Sequence, residues 1–283
     1  MKCFYHSADL DGHCAGAIIK QEYPECEMIG IDYGDVFPWD SIGHGEIVFM
    51  VDFTLQPYKN MDKLNKKCNL IWIDHHITAI NGIAELNIDI SGNRDIKYAG
   101  CELVWKYLHG PILISTAVWL LGRYDVWDHI DPEILPFQYG MKQRDTDPSV
   151  AKNMLLWKRL LQNDLLVGNI IEDGKTIQRY IEQNNITQCK SLAYEFNFEG
   201  LRFIAANAAL TGSKLFDSIY DPKKHDAMMV YYNKNGKFWH VSMYAIKDDI
   251  NVSTIAKKYG GGGHKGAAGF QTECPPFPAF TNK

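Results

Sequence analysis

The sequence predicts an α/β protein: a doubly wound parallel sheet, then a helical connector, then a smaller α+β domain. Three observations predict it. Apolar runs alternate with amphipathic stretches from residue 2 to residue 73. Helical spacing takes over from Tyr98 to Asn185, and beyond the polar "EQNNITQ" (182–188) alternating runs with a turn signal return.

Taken in order, "KCFYHS" (2–7) reads as a first strand and "GHCAGAIIKQEYP" (12–24) as a helix stopped by Pro24. "CEMIGIDYG" (26–34) and "EIVFMVDFT" (46–54) are two further strands. "QPYKNMDKLNKK" (56–67) has an early proline and a polar face, as a surface crossover helix should. "NLIWI" (69–73) is an apolar strand of the kind buried on both faces. Right-handed crossovers in such a sheet bring the strand ends to one edge. Helices are expected at "YAGCELVWKYLHG" (98–110), "ILISTAVWLLGRYDVW" (112–127), "SVAKNMLLWKRLLQND" (149–164) and "IIEDGKTIQRYIEQ" (170–183). "DHIDPEILPFQYG" (128–140), with two prolines, is expected to be loop. The domains are placed at 1–185 and 186–283. In the second, "NKNGK" (233–237) marks a hairpin turn and "VSTIAKKYG" (252–260) a closing helix.

Composition narrows the function. Of 283 residues, 46% are hydrophobic and 22% charged, which suits a globular protein of two unequal domains. Net charge is −5 and the pI is near 6.0, so the basic excess of a protein that tracks a long nucleic-acid backbone is missing. Long duplex partners are not expected; a short anionic substrate is compatible. Seven scattered cysteines without a CxxC pair point to reduced thiols in the cytoplasm. Polar chemistry begins at His6, so no signal peptide is expected, and the longest apolar stretch, 111–122, is too short for a bilayer. A cytoplasmic protein with no membrane partner is the expectation.

The chemistry sits at the strand ends. His6, Asp9 and Asp11 follow the first strand in "HSADLDG", Asp52 the third in "VDFT", and Asp74, His75 and His76 the fourth in "IDHH". Each piece has a plain alternative: "DLDG" as a turn, Asp52 as a helix N-cap, paired histidines as solvated side chains. Together they would have to crowd one edge by coincidence. Crowded carboxylates resist ionisation unless a cation neutralises them. Mixed oxygen and nitrogen donors suit Mn²⁺ better than Ca²⁺, and so many ligands suit two ions with a bridging carboxylate. Such a pair activates water and clamps a phosphoryl group for in-line displacement.

"HSADLDG", "VDFT" and "IDHH", in this order, resemble the motifs of the DHH phosphoesterase superfamily. "RYDVWDH" (123–129) is similar to its fourth motif, and "GGGGHKGAAGF" (260–270) to the glycine-rich signature of the accessory DHHA1-type domain. The resemblance implies that His6 and Asp9 bind one metal, Asp11 and His75 the other, and that Asp52 bridges them. Asp125 would supply the fourth-motif ligand, with Asp128 as the weaker candidate. Asp74 would orient a ligand from behind, and His76 would face the substrate phosphate. Two divalent ions are implied, Mn²⁺ first, with Mg²⁺ or Co²⁺ as alternatives. The spacing from His6 to Asp9 is one residue tighter than in many relatives.

The glycine run allows backbone N–H groups at Gly261, Gly262, Gly263 and His264 to face a substrate anion, or serves only as a helix stop. "TGSK" (211–214) is a weaker candidate for gripping substrate. Many relatives carry an arginine near "SMYAIK" (242–247); Tyr244 or Lys247 could take its place. Trp105, Trp119 and Trp157 are expected in the core, while Tyr33, Tyr124 and Trp127 are candidates for contacting a base.

The implied function is cleavage of short oligoribonucleotides or dinucleotides from an end, as in the nano-RNase and oligoribonuclease branch. The second domain would close over the cleft, and a homodimer is compatible. The alternatives are an exopolyphosphatase, a cyclic-dinucleotide or 3′-phosphoadenosine-5′-phosphate phosphohydrolase of the same fold, and a non-catalytic nucleic-acid-binding protein.

Overall fold

The structure, a computed structural model, describes residues 1–110, 113–162 and 164–274. The chain divides into two units, Met1–Gln178 and Arg179–Lys283.

In the first unit, β1 (Lys2–His6), α1 (Leu10–Glu22), β2 (Glu27–Ile31), β3 (Ile47–Val51), α2 (Lys59–Lys67) and β4 (Asn69–Ile73) form a four-stranded sheet with its crossovers. All pairings are parallel and the order is β2-β1-β3-β4. Alternation along the strands feeds two cores, as side chains pointing to opposite faces must. Cys3, Tyr5, Phe49, Val51 and Ile73 join α1 in one cluster. Phe4, Val48, Met50, Leu70 and Trp72 join Met61 and Leu64 of α2 in the other. The doubly wound architecture is therefore present.

Among the described residues six α-helices follow: α3 (Ile77–Glu85), α4 (Gly100–His109), α5 (Thr116–Asp125), α6 (Ile134–Met141), α7 (Met154–Gln162) and α8 (Asp164–Leu192). The sequence reading missed α3 and read α6 as loop. Pro136 is the third residue of α6, in the first turn, where a missing N–H leaves no intrahelical bond unmade. The polar 182–188 stretch, expected to mark a boundary, lies inside α8. Its polarity reports exposure of a long helix, and the change of unit falls within that helix, near residue 178 rather than 185. The expected helix starting at 112 begins instead at Thr116; Ile112 lies outside the described residues.

The second unit holds β5 (Ala193–Phe198), β6 (Leu201–Asn207), β7 (Ala227–Lys234), β8 (Phe238–Ala245), α9 (Val252–Lys258), β9 (Gly262–Gly263) and β10 (Ala267–Thr272). The sheet order is β5-β6-β7-β8-β10-β9, antiparallel except for β6 beside β7. Asn235 and Gly236, both at positive φ, make the β7–β8 turn, as "NG" foretells. Val252, Ile255 and Ala256 of α9 pack on Phe203, Met229 and Met243. Among the described residues, no helix is long and apolar enough to cross a membrane.

Candidate metal centre

The sheet order changes direction between β1 and β3, and the crevice at such a switch point is where open α/β sheets hold ligands. His6 is the last residue of β1. Asp9 caps α1, its Oδ1 accepting the Gly12 N–H at 2.9 Å. Asp52 follows β3 in a left-handed conformation, φ +54°, and is 1% exposed. That backbone costs an L-residue about 1–2 kcal/mol; such strain clusters at functional sites.

The side chains converge. Asp52 Oδ2 lies 3.6 Å from His6 Nδ1, and Asp52 Oδ1 lies 3.2 Å from His75 Nε2. His6 Nδ1 is 2.9 Å from Asp9 Oδ2, so the tighter spacing still joins these two. His75 Nε2 is 3.3 Å from Asp125 Oδ2 and 3.8 Å from Asp11 Oδ2. Among the described residues, three groups of possible ligand atoms result, each within 4.8 Å: His6–Asp9–Asp52, Asp11–His75–Asp125 and Asp52–His75–His76. Asp52 belongs to two of the three groups and shares His75 with the third. Asp128 joins none of these groups; it pairs with Arg123 at 3.4 Å.

Does this set fit divalent cations? Asp52 Oδ1 and His6 Nδ1 are buried, and neither has an aligned hydrogen bond. Buried polar atoms are seldom left so, and oxygen–nitrogen donors at these separations suit a divalent ion. The charges agree. Burial, then Asp52 and Asp125, push the Asp11 carboxyl well above its usual range. Burial and Asp52 push Asp125 up to about 6. Burial works against the charged form of His6, but Asp52 and Asp9 outweigh it and raise the imidazole to about 10. His75 is raised too, burial being overcome by Asp52. Acids that resist ionising beside imidazoles that hold protons form a site short of positive charge. The residues fit.

Elements behind the centre hold it in place. Asp11 Oδ2 accepts from Gly100 N–H at 2.7 Å and Oδ1 from Cys101 N–H at 2.8 Å, the amino end of α4. A Cβ on Gly100 would meet Asp52 Cβ at 2.6 Å, so only glycine lets α4 come this close. Asp74, fully buried, takes the Thr54 hydroxyl and Trp72 Nε1 on one oxygen; the other takes the His75 and His76 amides. That second oxygen also lies 2.7 Å from His76 Nδ1. The bond to Asp74 raises His76 to about 9, and His76 in turn outweighs burial to hold Asp74 low.

Sequence reasoning missed one pair. Glu102, 3% exposed, accepts from Ala99 N–H at 3.0 Å and from Arg123 Nη2. It ties the end of α4 that holds Asp11 to the end of α5 that carries Asp125. The signal for Glu102 was a glutamate three residues into a helix, the reciprocal half of a capping box. Nothing local announces Arg123 as its partner.

The second unit treats its glycines differently. Gly261 N–H donates to Ala256 O at 2.9 Å and His264 N–H to Ala267 O at 2.8 Å. Two of the four amides expected to face an anion are therefore committed to backbone. A Cβ on Gly261 would meet Gly269 O at 2.1 Å, and Gly263 sits at φ +134°. Close strand approach accounts for these glycines; Gly262 and the His264 side chain stay exposed. Lys247 is likewise spent, paired with Asp226. In "TGSK", Ser213 and Lys214 enter a short 3₁₀ turn. Trp157 is in the core, while Trp105 and Trp119 are only partly buried at its margin. Tyr33 and Trp127 are exposed, and Tyr33 packs edge-on to His6 with ring centres 5.8 Å apart.

Comparison with known proteins agrees with this architecture. Residues 211–280 match the DHHA1 domain model. An uncharacterized protein of Acanthamoeba polyphaga mimivirus is 24% identical over 81% of this chain; the chain spans about half, 55%, of that relative's length. A pGpG-specific phosphodiesterase from Vibrio cholerae superposes with a TM-score of 0.58 at 12% identity, over 96% of this chain and 93% of that one. The DHH domain of a member of the S1p family of ribosomal proteins gives 0.56 at 13% identity, over 96% and 82%. An exopolyphosphatase-related protein from Bacteroides fragilis gives 0.52 at 12% identity, over 97% and 87%. The chain therefore shares its fold with these proteins, one of them a DHH domain, and carries a match to the DHHA1 domain over residues 211–280.

Proposed function

We infer that the protein hydrolyses phosphoester bonds of short oligoribonucleotides or dinucleotides, working from an end. One observation carries the reading: a single buried carboxylate, Asp52, lies between His6 on one side and His75 on the other. His6 and Asp9 would hold one divalent cation, Asp11, His75 and Asp125 a second, with Asp52 shared; Mn²⁺ suits the donors best. A pair of cations held there would supply Lewis-acid chemistry for hydrolysis and would offset charge on a transferring phosphoryl group.

The chain's own residues do the rest. Asp74 fixes the His76 ring through Nδ1 and keeps it protonated, which leaves Nε2 to donate to the substrate phosphate. Asp74 also fixes the backbone of His75 and so its ring. In the second unit, Gly262 and the His264 imidazole are the exposed candidates for the substrate's anionic end, with Gly261 and Gly263 shaping the hairpin that displays them. A net charge of −5 supports a short substrate over a long one. Relatives in fold include a pGpG-specific phosphodiesterase and an exopolyphosphatase-related protein, so the fold suits both dinucleotide and polyphosphate chemistry.

The test is purified protein with Mn²⁺ offered di- to decanucleotides, polyphosphate, cyclic dinucleotides and 3′-phosphoadenosine-5′-phosphate side by side. Fastest turnover on the shortest oligoribonucleotides is expected. Turnover indifferent to the nucleobase, with polyphosphate best, would replace the reading by an exopolyphosphatase; no hydrolysis at all would refute it.

A further inference from the structure

We propose that Asp32 is a positioning residue for the metal centre: its carboxylate takes the Nε2 proton of His6 and so presents Nδ1 to the cation. β2 is the one strand of the first sheet whose end has no part in the ligand groups described above. It runs parallel to β1 with Ile31 opposite His6. Asp32, the next residue, therefore stands at the edge where the imidazole emerges, and its Oδ1 lies 3.4 Å from His6 Nε2.

The two nitrogens of the His6 ring face different partners. Nδ1 lies 2.9 Å from Asp9 Oδ2 and 3.6 Å from Asp52 Oδ2, and it is buried without an aligned hydrogen bond. Among the described residues, Asp32 is the one carboxylate paired with Nε2. A neutral imidazole gives a cation the nitrogen that carries no proton, so its remaining proton sits on the other. With Nδ1 among the ligand atoms, that proton is on Nε2, and a carboxylate is a common partner for it behind a metal. The Tyr33 and Phe53 rings flank His6 at 5.8 and 6.1 Å and wall it in. Asp32 is itself held, with Oδ1 accepting the Tyr33 N–H at 2.6 Å and its own N–H donating to Asp35 Oδ2 at 2.9 Å. Its contact with Nε2 is longer than a hydrogen bond, and bonds at such sites often tighten only with the ligand in place. The Asp32 side chain is 49% exposed, so it can be replaced without opening the core. This inference rests on the metal centre of the function proposed above and adds a residue outside its ligand groups.

The test reads metal binding and the ring proton, not turnover. Metal-free wild type, Asp32→Ala and Asp32→Asn are titrated with Mn²⁺ by calorimetry. Asp32→Ala should bind one of the two ions about tenfold more weakly and hold the other near its wild-type affinity. Asp32→Asn, which keeps an acceptor oxygen, should recover most of that loss. Wild-type affinity in Asp32→Ala would overturn the proposal. So would an Asn variant as weak as the Ala variant, since the carboxylate would then act as a ligand or a bare charge. Heteronuclear NMR of the His6 ring in the Mg²⁺-loaded wild type should place its proton on Nε2; a proton on Nδ1 would overturn the proposal whatever the variants do. Wild type that takes up no ion removes the metal centre and this proposal together. Two ions bound without regard to Asp32 refute this proposal alone. A protein that shows the Asp32 effect yet hydrolyses no phosphoester keeps it and loses the function proposed above.

Discussion

The acid-and-imidazole edge of the first unit and the glycine hairpin of the second are the two regions densest in motif residues, and they use backbone amides in opposite ways. At the edge, amides of α4 and of His75 and His76 are spent on holding carboxylates, Asp11 and Asp74. At the hairpin, the Gly261 and His264 amides are spent on carbonyls of the same unit. The first arrangement collects charge that the fold alone leaves uncompensated; the second ties its turn to the same unit and leaves Gly262 and the His264 side chain exposed. A functional site is better recognised by what its polar groups lack than by how many there are.

The sharpest way to break this contrast is at Asp52. Asp52→Asn keeps the shape but removes the shared charge, and hydrolysis should fall by more than the roughly 10- to 100-fold that loss of an outer partner costs. Steady-state rates against the best substrate check it. Asp74→Asn should fall inside that roughly 10- to 100-fold range, because it disturbs His75 and His76 without removing a ligand.

Glu102 tests whether the buttress matters. Glu102→Ala leaves Arg123, at a mostly buried site, with only its longer 3.4 Å contact to Asp128 among carboxylates and should cost about 3 kcal/mol in denaturant unfolding. Glu102→Gln should cost less and still weaken metal binding, measured by titration. Unchanged metal affinity in both variants would make the pair a purely structural tie.

A pH series sharpens the electrostatic half of the comparison. His6 is raised to about 10, His76 to about 9 and Asp125 to about 6, so each holds its proton more tightly folded than unfolded. For the imidazoles, that stability is fully present below about pH 6.5 and is lost as pH rises towards their folded values. Cations held by His6 and Asp125 need those two groups deprotonated. The rise in melting temperature on adding Mg²⁺ should therefore grow from about pH 6 to about pH 8.5. A rise independent of pH would contradict the proton–metal competition.

The smallest effects belong to the hairpin. Gly261→Ala should destabilise by about 1–3 kcal/mol, its Cβ meeting backbone. Gly262→Ala, with open space around it, should stay within about 0.5 kcal/mol. A raised KM in Gly262→Ala at unchanged stability would show that this exposed glycine meets substrate.

How much of this the sequence carried follows from what kind of interaction was involved. Strand ends were legible because an apolar run that stops in acid and imidazole, as "NLIWIDHH" does, is a local signal, and three such ends had to share an edge. Asp125 was legible through its motif. The Glu102–Arg123 pair was not, because 21 residues separate partners that only tertiary packing brings together. Helix α6 was hidden by Pro136, a residue that usually argues against a helix but is harmless in its first turn. At the glycine run the close approach of Gly261 to a neighbouring strand was not legible, because a string of glycines looks the same whether it faces an anion or a strand.

The central claim is that Asp52 is shared by a pair of divalent cations. Calorimetric titration of the metal-free protein with Mn²⁺ tests it most directly. Two ions per chain are predicted for the wild type, with at least one lost or greatly weakened in Asp52→Asn; no uptake, or uptake unchanged by that substitution, would contradict it.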